Sequence, residues 1–176
     1  MIFRATRIAG VMEIELEPRA DERGMFARAY CEAEFRAQGL KPVGIQCNIS
    51  RNKQRHTLRG LHYQAEPAPE AKLVRCVAGR VFDVAVDLRK DSPTFLAWVS
   101  AELDAERGNM LYVGEGCAHG FLTLTGGATV FYQMGAAYQP KLARGVRWDD
   151  PRFAIAWPAA PAAISDRDAG FPDFRS

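Results

Sequence analysis

From Met12 to Glu17 the chain alternates without exception: Met12, Ile14 and Leu16 are apolar, and Glu13, Glu15 and Glu17 are charged. A period of two is the period of a strand with one face in water. The period returns where Val43, Ile45, Cys47 and Ile49 alternate with Gly44, Gln46, Asn48 and Ser50. Further short strand-like runs cover Leu73–Val77, Arg80–Leu88, Phe95–Leu103, Met110–Val113, Gly120–Leu124 and Ala128–Met134. Punctuation lies between them: Asp21-Glu22-Arg23-Gly24 reads as a turn, and Ala78-Gly79 reads as the turn of a hairpin. The best helix signal is short, Tyr30 to Gln38, closed by Gly39. Many short strands at this spacing predict an all-β sandwich or barrel, not a βαβ fold.

Composition narrows the function. With 176 residues the chain fits a single domain, 1–176, and no linker or repeat divides it. A balance of 23 Lys+Arg against 21 Asp+Glu argues against a dedicated nucleic-acid binder. Cys31, Cys47, Cys76 and Cys117 form no C-x-x-C pair, so free thiols in a reducing cytosol are expected. Neither a signal peptide nor a membrane-length apolar run is present, so a cytoplasmic protein is expected.

The informative residues are polar groups inside the strand-like runs. Leu58-Arg59-Gly60-Leu61-His62-Tyr63-Gln64 carries Arg, His and Tyr, Lys72 opens the next run, and Tyr132 sits in Thr129–Met134. Buried polar groups are costly unless paired, so an interior holding such groups predicts a wet ligand pocket. Each residue alone has a plain reading. His62 is a structural hydrogen-bonder, Lys72 a snorkelling lysine, Tyr132 a core aromatic, and Arg23 and Arg59 surface ion-pair residues. Together they suit acid–base chemistry on an anionic substrate: arginines hold phosphate, His takes a proton, Lys stabilises an oxyanion and Tyr returns a proton. One geometric obstacle stands out. On a regular strand Arg59 and His62 point to opposite faces, so they converge only if the strand is bulged or twisted, which Gly60 permits.

A metal site is the obvious rival. Metal-binding barrels of the cupin type use H-x-H, a following Glu and a distant His. Here His62 is followed by Tyr63-Gln64, and Gly114–His119 supplies a single further His. Two histidines without a placed carboxylate make a poor transition-metal site.

The ordered motifs resemble the dTDP-4-dehydrorhamnose 3,5-epimerase family, nucleotide-sugar epimerases with a cupin-like jelly roll. The resemblance rests on Asp21-Glu22-Arg23-Gly24-x-Phe26, Gln46-Cys47-Asn48, Leu58–Gln64, Lys72-Leu73-Val74-Arg75 and Asp83–Arg89. It continues through Ser92–Phe95, Ala118-His119-Gly120-Phe121, Tyr132, Tyr138, Trp148–Pro151, Trp157-Pro158 and Ser165-x-x-Asp168, nearly the whole chain. It implies that His62 is the general base, Asp168 its carboxylate partner, Lys72 the stabiliser of the enolate at O4, and Tyr132 the acid that reprotonates the opposite face. It implies substrate contacts at Arg23, Phe26, Arg28, Gln46, Asn48, Arg59, His119, Tyr138 and Arg167, with Tyr138 stacking on the base. No metal or redox cofactor is implied, because the 4-keto group already acidifies the neighbouring C–H. A homodimer is implied, with Arg23 reaching a neighbouring subunit's pocket.

Departures from the family pattern fall on the nucleotide side. Arg28 stands where Glu is usual, 139–144 lacks a common Glu, Arg167 replaces Lys, and Gln133-Met134 replaces a lysine-containing pair. They leave open the base (dTDP, CDP or GDP) and whether C3, C5 or both are inverted. A sugar 3,4-ketoisomerase, a non-catalytic sugar-binding cupin and a metal-dependent cupin oxygenase are the rival readings.

Overall fold

The computed structural model describes residues 1–175. In chain order the elements are β1 (Ile2–Ala5), β2 (Val11–Glu15), β3 (Arg19–Asp21), β4 (Gly24–Phe26), α1 (Glu32–Ala37), β5 (Gln46–Arg51) and β6 (Leu58–Gln64). Then follow β7 (Lys72–Ala78), β8 (Arg80–Asp87), β9 (Trp98–Asp104), β10 (Met110–Val113), β11 (Cys117–Thr123), β12 (Thr129–Met134), β13 (Ala143–Gly145) and α2 (Asp166–Ala169). Six strands form one sheet in the order β1-β2-β10-β7-β12-β5, five form another in the order β13-β6-β11-β8-β9, and β3-β4 stand apart as a hairpin. The strand pairs are antiparallel. This is the all-β, cupin-like jelly roll that the strand spacing and the resemblance predict.

Much of each sheet is covered on both faces, which explains its long apolar runs; the outer face at β5 is left open. Between the sheets lie Val74 and Cys76 of β7, Val81 and Ala85 of β8, Leu111 and Val113 of β10, and Val130 of β12. Outside the six-stranded sheet, Phe35 of α1 packs with Leu40, Leu73, Met110 and Tyr112. Outside the five-stranded sheet, Leu61, Val84, Val86 and Ala118 pack against Val146, Phe153, Trp157 and Phe174. The C-terminal stretch therefore folds back as a cover.

Two sequence readings change. β7 and β8 do not pair, because they lie in different sheets. Ala78-Gly79 is a corner between sheets, not a hairpin turn; Gly79 has φ of +72°, and a Cβ there would meet Thr125 at 2.2 Å. In β5 the alternation is real, but its apolar phase faces out. Cys47 and Ile49 are exposed, while Gln46, Asn48 and Ser50 are half-buried. The inward phase is polar because at this end the space between the sheets is a cleft, not core.

Candidate active site

The cleft has two lobes, of about 300 Å³ and 340 Å³, both lined by His62, Lys72 and Tyr132. Arg59, His119 and Phe121 line the first, and Gln46, Asn48, Gln64, Tyr138 and Arg167 the second. Period-two geometry builds it. Along β7, Lys72 precedes core residues Val74 and Cys76 on the inward phase, and along β12, Tyr132 follows Val130. One face of each strand is thus core at one end and chemistry at the other.

β6 resolves the Arg59–His62 obstacle with a bulge. His62 pairs with His119 and Arg59 with Phe121, so Gly60 and Leu61 together oppose Gly120 alone. The extra residue returns Arg59 to the face of His62. Gly60 has φ of +134°, and a Cβ on it would lie 2.6 Å from the Gly120 Cα. Two glycines facing each other let the strands close over the bulge.

The bulge and His62 are tied to one carboxylate. His62 Nε2 lies 2.8 Å from Asp168 Oδ1, and the Gly60 N–H donates to Asp168 Oδ2 at 3.1 Å. The Asp168 N–H in turn donates to Ser165 Oγ, which caps α2. Phe171 packs edge-on against the imidazole, with ring centroids 5.7 Å apart. Burial pushes the Asp168 carboxyl up, but hydrogen bonds from His62 and Gly60 outweigh it and hold the group below its ordinary range. An ionised Asp fixes the imidazole tautomer and stabilises the imidazolium formed on proton abstraction.

Tyr132 lies on the other sheet. Burial raises its phenol above the usual value, Arg59 pulls it down and Glu70 pushes it up, so it keeps its proton at neutral pH. Lys72 Nζ sits 2.9 Å from Glu70 Oε1 and donates to the His62 carbonyl at 3.3 Å. Arg59 Nε donates to Asn52 Oδ1 at 2.8 Å. Gln46 Oε1 accepts from the Tyr138 N–H, and Gln64 Oε1 from the Gln139 N–H, so these two glutamines hold the loop that carries Tyr138.

Of the sequence-predicted residues, the fold gathers His62, Lys72, Tyr132, Gln46, Asn48, Arg59, His119, Tyr138 and Arg167 around the cleft, with Asp168 behind His62. It does not bring Arg23, Phe26 and Arg28 there. Arg23 and Phe26 lie on the β3–β4 hairpin, Arg23 is paired with Asp21, and Phe26 is 75% exposed. Arg28 pairs with Glu34 beside a separate hollow near Met1. The hairpin belongs to neither large sheet, and none of these three residues lines either lobe. His119 also differs from a simple substrate contact. It is buried, and its Nε2 lies 2.8 Å from Oδ1 of the wholly buried Asp83. Sequence reasoning missed Asp83 and Glu70; the available signal was a carboxylate within the apolar run Val81–Val86 and another two residues before Lys72.

A profile of the family described as dTDP-4-dehydrorhamnose 3,5-epimerase matches residues 5–176. The chain belongs to this family. Its relative from Sinorhizobium fredii, a dTDP-4-dehydrorhamnose 3,5-epimerase, is 43% identical over 174 residues, covering 98% of this chain and 89% of that one. The solved dTDP-6-deoxy-D-glucose-3,5-epimerase of Legionella pneumophila, in complex with dTDP-4-keto-L-rhamnose, superposes with a TM-score of 0.91 at 36% identity, covering 98% and 92%. A 3′-monoepimerase from Streptomyces bikiniensis, in complex with dTDP-quinovose, gives a TM-score of 0.87 at 36% identity, covering 96% and 85%. The family is one of epimerases, an isomerase class, and a 3,5-epimerase and a 3′-monoepimerase resemble the chain to a comparable degree. Among the described residues, no helix is long and apolar enough to cross a membrane.

Proposed function

We propose that the chain epimerises a dTDP-linked 4-keto-6-deoxysugar at C3, C5 or both, in deoxysugar biosynthesis. The observation that carries this is the placement of His62 and Tyr132 on opposite sheets of one cleft, with Lys72 lining the same space. A base on one side and an acid on the other is the arrangement that inverts a carbon.

His62, backed by Asp168, removes the proton next to the 4-keto carbon. The electron pair moves into the enolate, whose O4 charge the Lys72 ammonium offsets. Tyr132 then delivers a proton to the face opposite His62. Arg59, with Gln46 and Asn48, meets the diphosphate side, and Tyr138 offers a half-exposed ring to the base. The ligands bound in these solved relatives, dTDP-4-keto-L-rhamnose and dTDP-quinovose, support dTDP over CDP or GDP. The chain acts as a homodimer in which Arg23 and Phe26 serve a second subunit. The exposed hairpin residues Met25 and Phe26, with Ile45, Ile49 and Val77 also exposed, support that state. The site of action is the cytoplasm.

Incubation with dTDP-4-keto-6-deoxyglucose in D₂O, followed by mass spectrometry and NMR of the product, tests the reaction. Uptake of one or two deuterons at C3 and C5 with inversion is expected. No uptake above an enzyme-free control, or a carbonyl moved to C3, would overturn it.

A further inference from the structure

Glu70 lies in the connection between β6 and β7, two residues before Lys72 and so on the same side of an extended chain. Its side chain and that of Lys72 are each 8% exposed, and they form an ion pair of 2.9 Å. Burying either charge alone costs several kcal/mol, so each is tolerated because of the other. A buried carboxylate normally also caps a helix or anchors a loop, as Asp168 and Asp87 do here by accepting backbone N–H groups. Glu70 does neither. Its Oε2 is buried without a hydrogen-bond partner, and among the described residues Lys72 is the cation it meets. The backbone gains nothing from Glu70, so its effect passes through the ammonium.

That ammonium has three N–H donors. The His62 carbonyl takes one at 3.3 Å and Glu70 faces another, leaving a third for the cleft that Lys72 lines with His62 and Tyr132. A free lysine has four rotatable bonds and no fixed aim. The Glu70 carboxylate, which lines the second lobe beside it, and the His62 carbonyl hold this one.

We infer that Glu70 is a positioning residue for the epimerase reaction, holding the Lys72 ammonium so that one N–H faces the developing oxyanion. The inference rests on the epimerase reading of the site. Glu70 also faces Tyr132, whose phenol its charge helps to keep protonated. His62, Tyr63, Tyr138, Arg144 and Arg167 are the other titratable or charged groups of the same lobe.

A double-mutant cycle in kcat tests this, using Glu70→Gln, Lys72→Met and the double variant, with deuterium uptake from D₂O by dTDP-4-keto-6-deoxyglucose as the rate. Glu70→Gln keeps the shape and removes the charge. The expected result is a fall in kcat of about tenfold with KM within about threefold. In the Lys72→Met background the same change is expected to alter kcat by less than about twofold. An equal loss in both backgrounds overturns the inference, as does a kcat for Glu70→Gln within about twofold of wild type. Loss of dTDP binding by calorimetry in Glu70→Gln makes the residue structural and overturns it too. Failure of the wild-type protein to exchange at all rejects the epimerase reading instead, so the two failures are distinct.

Discussion

Two histidine–aspartate pairs stand close together in this molecule, with the same Nε2–Oδ1 distance of 2.8 Å. His62 and His119 even face each other in the β6–β11 register. Their surroundings separate them. The His62 side chain is 37% exposed and opens on both lobes of the cleft, whereas that of His119 is 9% exposed. Asp168 has a backbone N–H on its second oxygen and is held below the usual carboxylate range. Asp83 has no partner on its second oxygen, and burial pushes it up despite the charge of His119 and Lys72 nearby. The lesson is that a His–Asp distance does not identify a base. The environment of the carboxylate decides whether the pair favours imidazolium.

The comparison breaks most sharply in kinetics. His62→Ala is expected to lower kcat by about 10³-fold or more with dTDP binding retained, as removal of a general base should. Asp168→Asn should cost about 10²–10³-fold in kcat through loss of tautomer control, whereas Asp83→Asn should cost less than about tenfold. Tyr132→Phe should slow product formation about 10²-fold, because abstraction by His62 survives while delivery to the opposite face does not. His119→Asn should act mainly on KM, raising it about tenfold. Steady-state kinetics on the same nucleotide sugar reads these five.

A smaller effect appears in stability against pH. Asp168 has a depressed folded-state pKa, so its contribution is present above about pH 4 and is lost as pH falls through the folded value. Asp83 is raised, so its ionised form is penalised in the fold and relative stability returns as pH falls. Thermal unfolding from about pH 2 to 8 should therefore show Asp168→Asn less stable than wild type near pH 7, with the gap closing as pH falls below about 4. Asp83→Asn should be as stable as wild type, or more so, at the high-pH end.

The sequence carried the polar residues of the cleft because they break the apolar period of their strands. Lys72 and Tyr132 share a face with Val74 and Val130, and a polar group there must either be paired or line a cavity. It carried the need for distortion at Gly60, but not that Asp168 would fasten the bulge. That contact spans 108 residues of chain, and local pattern is blind to it. Ala78-Gly79 was misread because a hairpin turn and a sheet-to-sheet corner need the same left-handed glycine. Arg23, Phe26 and Arg28 were legible as motif residues, yet a motif does not say whether the fold brings them to the cleft. Asp83 and Glu70 stayed hidden because their partners, His119 and Lys72, already had readings of their own.

The central claim is that His62, and not its twin His119, is the proton-abstracting group. It is tested by the initial rate of deuterium uptake from D₂O into dTDP-4-keto-6-deoxyglucose, measured side by side for wild type, His62→Ala and His119→Ala. The account predicts uptake by wild type, uptake within about tenfold of it for His119→Ala, and none above background for His62→Ala. Sustained exchange by His62→Ala together with its loss in His119→Ala would contradict it.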